Sequence, residues 1–180
     1  MATSYYIAQS AQGTGDGLTS ANAKAASFFN TGSNWSGTAG TSGKISPGDT
    51  VWIVGTVSTP LVFQGSGTTG NPVTLKWEPG AKLSAGTWAT AALLVEGDNF
   101  SGLKHDIVID GYADGRIEAT ASGTGMTYSS CGYGVRCIGA SQVEIKNLRV
   151  LDLFVRTVGN DASTPGTLIS CANAVNAAMA

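Results

Sequence analysis

Charge is scarce in this chain. Lys, Arg, Asp and Glu together supply 12% of its 180 residues, about half the usual share. Ten basic side chains stand against twelve acidic ones, a formal net charge of -2. That balance excludes a general electrostatic grip on nucleic acid and gives no reason to invoke an anionic membrane surface. Long apolar runs are also missing: no stretch approaches the ~20 residues that a membrane helix needs. The opening Met1-Ala-Thr-Ser-Tyr-Tyr-Ile7 has neither a basic n-region nor an apolar h-region, so no signal peptide is visible. Either a leader was removed, or the protein leaves its cell by another route, as a phage structural protein released by lysis would. Three cysteines are too few for a disulfide scaffold. Cys131 and Cys137 flank a Gly-rich turn and have the spacing to pair in an oxidising setting; the alternative is that they and Cys171 are small buried thiols.

What is present is glycine, 25 residues of it, beside a hydrophobic share of 42%. Disorder is excluded by that apolar content, and the mixture points to an all-β chain with many turns. Three short segments share one frame: Val73-Thr-Leu75, Ile107-Val-Ile109 and Val143-Glu-Ile145. A second strand follows each, at Lys82-Leu-Ser84, Arg116-Ile-Glu118 and Arg149-Val-Leu151, and then a third, at Leu93-Leu-Val95, Val135-Arg-Cys137 and Leu168-Ile-Ser170. Upstream, Val51-Trp-Ile53 and Leu61-Val-Phe63 fit as second and third strands of an earlier turn, with Tyr5-Tyr-Ile7 as its first. Such sets predict a right-handed parallel β-helix with three strands per coil, its inward residues forming one continuous core. Val73, Leu75 and Trp77 then face inward while Thr74 and Lys76 face out. Gly80, Gly97, Gly111, Gly139 and Asn147 fall where the chain bends. Ser20 to Asn30 has helix formers and a helical apolar spacing, with Ser20 as N-cap, and predicts a helix capping the first coil. The expected organisation is one domain: a cap region over 1–49 and about three coils over 50–180. The last residues read as the start of a further coil, which implies a longer polypeptide or an open edge paired with another subunit.

Outward residues on equivalent strands should stack in columns. Lys76, Asp110 and Lys146 form one of alternating charge, read as a solvated ladder. Lys82, Arg116 and Arg149 form another, of three cations roughly 5 Å apart, which repel unless they are answered. Glu78, Glu118 or Asp152 can answer them locally; an anionic ligand such as a uronic-acid polysaccharide can do so from outside, its carboxylates matching the Arg fork. Trp52 is predicted to face out, and Trp88 and Tyr112 to lie in loops, where aromatic faces stack on sugar rings or seat a sister subunit. Trp35 and Trp77 are assigned to the core. Asp106, Asp110 and Asp114 are weak candidates for calcium ligands, although they follow no calcium-loop pattern. Asp110 and Glu144, on neighbouring coils, have a spacing that suits a hydrolase, as many surface carboxylate pairs do. His105, without a recognisable Ser or Cys partner, reads as a turn residue. Gly13-Thr-Gly-Asp-Gly17 lacks the Gly-Lys-Ser/Thr of a phosphate loop and is set aside.

The run Tyr5-Tyr-Ile-Ala8, the segment with Phe28-Phe29, Pro47-Gly-Asp-Thr-Val51 and Gly65-Ser-Gly-Thr-Thr-Gly-Asn-Pro72-Val-Thr-Leu75 resemble the opening of pectate-lyase-like right-handed β-helix proteins. Polysaccharide lyases, bacterial surface proteins, and phage tail spikes and fibres share such openings. The shared motifs are turns, so the resemblance implies a fold and transfers no catalytic residue. Three functions remain in view: a non-catalytic module of a virion tail fibre or cell-surface protein that contacts glycans or sister subunits; the N-terminal part of a secreted polysaccharide lyase or glycosidase; and a self-assembling fibre subunit. The expected partners are a polysaccharide or surface glycan and copies of the same chain, with no nucleic acid, no membrane and no cofactor beyond the calcium option. The expected location is extracellular or on a virion.

Overall fold

The computed structural model describes residues 1–97, 102–121 and 132–151, with the backbone of 169–172 and 178–179. Fifteen strands are described: β1 (Ser4–Ala8), β2 (Lys24–Ala25), β3 (Thr50–Ile53), β4 (Thr56–Val57), β5 (Leu61–Val62), β6 (Val73–Trp77), β7 (Lys82–Ala85), β8 (Ala91–Glu96), β9 (Lys104–Asp110), β10 (Arg116–Ala119), β11 (Tyr133–Ile138), β12 (Ala140–Lys146), β13 (Arg149–Leu151), β14 (Ile169–Ala172) and β15 (Ala178–Met179). They form three sheets whose strands run parallel throughout. The first has seven strands in the order β15-β12-β9-β6-β3-β1-β2; the second is β13-β10-β7-β4 and the third β14-β11-β8-β5. From β3 onward, successive strands fall in the first, second and third sheet in turn.

Alternation explains the strands. In β6, Val73, Leu75 and Trp77 are fully buried while Thr74 and Lys76 are half-buried on the other face, the period of two that a pleated strand imposes. Inward residues from all three sheets, among them Ile7, Ile53, Leu83, Leu93, Ile109, Ile117 and Val135, join one apolar cluster that runs from Tyr5 to Ile145. Trp35 and Trp77 belong to it, as expected.

The expectation of a right-handed parallel β-helix, with three strands in every coil beneath a capping helix, is corrected by this architecture. The described residues form three parallel sheets of unequal size with almost no helix, and no uniform solenoid is present. Strands of the first sheet begin at Thr50, Val73, Lys104, Ala140 and Ala178, so the repeat lengthens along the chain. At its start the rule of three fails as well, because β1 pairs with β2 on one side and β3 on the other. The physical reason is that apolar alternation decides which face of a strand is buried; it does not decide how sheets are joined.

The cap expected over Ser20–Asn30 is replaced by a 3₁₀ turn at Ser20–Asn22, the short β2, and α1, a single helical turn at Ala26–Phe29. Ser20 caps nothing, and its hydroxyl donates to Glu78 at 2.9 Å. A longer helix would forfeit the parallel hydrogen bonds that place Lys24 and Ala25 beside Ile7 and Ala8. Two further register corrections follow. Val51–Ile53 pairs with Leu75–Trp77 and so lies in the first sheet; the second-sheet strand of that turn is β4, too short to show in the sequence. Val135 and Arg136 pair with Ile169 and Ser170, one residue later than the expected frame. Leu168 lies outside the described residues.

Candidate functional site

The outward face of the first sheet carries a continuous column. Tyr6 stands opposite Trp52, Trp52 opposite Lys76, Lys76 opposite Asp110, and Asp110 opposite Lys146. Tyr6 and Trp52 stack with ring centroids 6.4 Å apart and planes 13° from parallel. Immediately after β9 the chain turns, and Tyr112 adopts a left-handed conformation with φ of 55°, an uncommon one for a bulky side chain. Two contacts hold it there. Its backbone N–H donates to Asp110 Oδ1 at 2.9 Å, and its ring meets Trp52 edge-on, 5.6 Å between centroids at 89°. Lys76 Nζ completes the group, 5.3 Å from the centre of each ring and 3.6 Å from Asp110 Oδ2. Tyr112 nonetheless keeps 52% of its surface exposed.

Asp110 is the hub. It is buried, and burial alone would raise its pKa; hydrogen bonds from Asn147 and from the Tyr112 N–H, with the charges of Lys76 and Lys146, outweigh this and hold it below the ordinary 3.8. An ionised carboxylate therefore anchors both the ammonium and the turn that presents Tyr112.

Around the corner, on the second sheet, Lys82, Arg116 and Arg149 stack in the expected register. Their counter-charges are local. Glu118, buried, pairs with Lys82, accepts from the Ser84 hydroxyl at 2.7 Å and lies 3.8 Å from Arg116 Nε. Asp114 pairs with Arg149 at 3.0 Å. Glu78 is occupied by Ser20, and Asp152 lies outside the described residues. Arg116 Nε is buried without a hydrogen-bond partner.

The hydrogen bond from Lys82 is the largest cause of a Glu118 pKa below the ordinary 4.5, with burial opposing it and Ser84 and Arg116 assisting. A depressed carboxylate stabilises the fold above its unfolded pKa and loses that contribution as the pH falls through its folded value. Thermal melts across the acid range should therefore show Glu118→Gln costing about 1–2 kcal/mol near neutral pH and much less once wild-type Glu118 is protonated. A cost independent of pH would argue against this account.

Several expectations are corrected here. Trp88 is 1% exposed, and its indole N–H donates to the Glu118 carbonyl at 3.0 Å, so it is core and presents no aromatic face. Asp106, Asp110 and Asp114 do not converge: Asp106 holds His105 Nδ1 at 2.8 Å, Asp110 serves the Tyr112 turn, and Asp114 holds Arg149. Among the described residues no group of three acidic, His or Cys side chains is placed to hold a metal ion. His105 belongs to β9 and is no turn residue. Glu144 is paired with Lys146 at 3.1 Å, which stands directly across from Asp110, so an ammonium stands where a hydrolase would need open space. Cys137 is buried, in register with Cys171 of β14; Cys131 lies outside the described residues.

Sequence reasoning found Trp52 and Tyr112 but missed their union with Lys76 and Tyr6. Placing Val51–Ile53 in the first sheet would have revealed it, because Trp52 then falls beside Lys76. It also missed Arg136, which pairs with Glu96 at 2.7 Å and lies over the Tyr133 ring.

Comparison with protein-family models, with curated proteins and with solved structures gives no match. Among the described residues no helix is long and apolar enough to cross a membrane.

Proposed function

We propose that this chain is a non-catalytic adhesion module of a virion or cell surface, which contacts glycans through the ledge formed by Tyr6, Trp52, Tyr112 and Lys76. One observation carries the reading: Tyr112 is half-exposed in a left-handed conformation, braced edge-on against Trp52, with the Lys76 ammonium shared between both rings. Holding an aromatic residue in a sparsely populated backbone region costs on the order of 1–3 kcal/mol, and such outliers concentrate where ligands are gripped. The rings offer apolar faces to the C–H side of a sugar, while Lys76 supplies a donor to its hydroxyls. The charged residues of the ledge and of the neighbouring cation column are already held in pairs within the chain. That favours a binding surface over a reactive one.

The test is a glycan array followed by titration of the best ligand. Trp52→Ala and Tyr112→Ala should each weaken binding at least tenfold, which corresponds to about 1.4 kcal/mol, while leaving the chain folded. Unchanged binding in both variants would remove the ledge from the account. Cleavage of the ligand would overturn the non-catalytic reading, and loss of self-association without loss of glycan binding would assign the ledge to a sister subunit.

A further inference from the structure

The glycine-rich segment Gly13–Gly17 is not a phosphate loop, but its Asp16 lines a cleft beside β1. The cleft has a volume of about 370 Å³ and is lined by Thr3, Tyr5, Asp16, Leu18, Lys24, Ser42 and Gly43. That volume lies at the small end of ligand pockets. None of these residues belongs to the Trp52–Tyr112 ledge.

Its chemistry is defined by two fixed charges. Asp16 Oδ1 accepts from the Leu18 N–H at 2.8 Å and Oδ2 from the Thr14 hydroxyl at 2.8 Å. The same two bonds hold its carboxyl below the ordinary range, so it is ionised at neutral pH, and each oxygen keeps accepting capacity. Lys24 Nζ donates to the Gly15 carbonyl at 3.3 Å and lies 4.8 Å from the centre of the Phe28 ring, which leaves ammonium protons for a guest. Gly17 has φ of +78°, and a Cβ there would lie 2.9 Å from Lys24 Cγ; the absence of a side chain lets the lysine stem lie where it does. Leu18, 58% exposed, supplies an apolar rim. Gly43, also in the lining, has φ of +74° with open space where a Cβ would stand.

We infer that this cleft binds a single neutral sugar residue or a similar small polyol. A ligand of either net charge is attracted by one of Asp16 and Lys24 and repelled by the other. A hydroxyl satisfies both, because it donates to the carboxylate and accepts from the ammonium, and a vicinal diol does so with two oxygens at once. Leu18 then covers the C–H face of the ring. The site is distinct from the ledge and stands whether or not the ledge binds glycans.

The test is titration of the ¹⁵N-labelled full chain with neutral monosaccharides (glucose, galactose, mannose, N-acetylglucosamine), and with glucuronate, glucosamine and glycine as charged comparators. Saturable shifts of the Tyr5, Leu18 and Lys24 signals are expected with at least one neutral sugar. Asp16→Asn should weaken that binding at least fivefold. Ser42→Trp, which fills the cleft and leaves both charges intact, should abolish it. Trp52→Ala should leave the sugar-induced shifts of Leu18 and Lys24 unchanged, so that failure of the ledge and failure of the cleft are read separately. No saturable shift with any neutral sugar, binding indifferent to both cleft variants, or a preference for a charged comparator would each overturn the proposal.

Discussion

Trp88→Ala should lower the stability of the chain by about 3–5 kcal/mol, the range for deleting a buried aromatic side chain. The effect has two sources. Trp88 is buried among the core residues, so alanine leaves a cavity lined by their apolar atoms. Its indole N–H is also bonded to the Glu118 carbonyl, and removing a partner from a buried acceptor costs about 1–3 kcal/mol. Trp88→Phe separates the two: it keeps most of the packing and loses the hydrogen bond, and should fall between wild type and alanine. Urea denaturation is the measurement, with a lower midpoint at unchanged slope for both variants. A surface aromatic would change stability by less than about 0.5 kcal/mol, which would contradict the burial of Trp88.

Gly111→Ala should be nearly as damaging, at about 3 kcal/mol, the upper part of the range for overpacking. A Cβ at Gly111 would lie 2.0 Å from the Asn147 carbonyl oxygen and 2.9 Å from Leu148 Cα. These are backbone atoms of the neighbouring turn, and backbone cannot swing aside as the end of a side chain can. Gly80→Ala makes the contrast. Gly80 has a positive φ of 78° and open space around it, so alanine there meets backbone strain of about 1 kcal/mol and no collision. The two melting temperatures should therefore separate clearly. Equal effects would mean that the turns after β9 and β12 are not in contact.

This glycine shows how far the sequence could be read. Gly111 was expected at a bend because glycine tolerates positive φ, yet its φ is not positive and its role is to permit close approach of two turns. The bend was legible; its cause was not, because the neighbour that requires glycine lies in a different part of the chain. Strand pairing was legible for Val73, Ile107 and Val143, and misplaced for Val51–Ile53, whose alternation could not say which sheet it joins. It was misread where a strand is two residues long, as at Thr56–Val57, since a pair of residues has no period. The way the sheets join was not legible at all, because every inward residue looks alike whichever sheet it serves. For the candidate site, Trp52 could be assigned to the outer face from its neighbours Val51 and Ile53. Trp88 could not be assigned to the core, because its burial depends on a carbonyl of β10 that no local pattern announces.

The position of β1 has a consequence for how the chain reaches this state. Although it precedes both β2 and β3 in the chain, it lies between them and not at the rim of its sheet. Its N-terminal approach is tied down by Asp49, whose Oδ1 accepts from the Thr3 N–H at 2.7 Å while Oδ2 holds the Ser46 N–H and hydroxyl. The Ser46 bonds are local, but the bond from Thr3 spans 46 positions and cannot close until Asp49 has left the ribosome. Non-local pairing of this kind is intrinsically slow. Until β3 emerges, β1 has only the two-residue β2 to pair with, and it is the arrival of β3 that closes its other edge against misassociation.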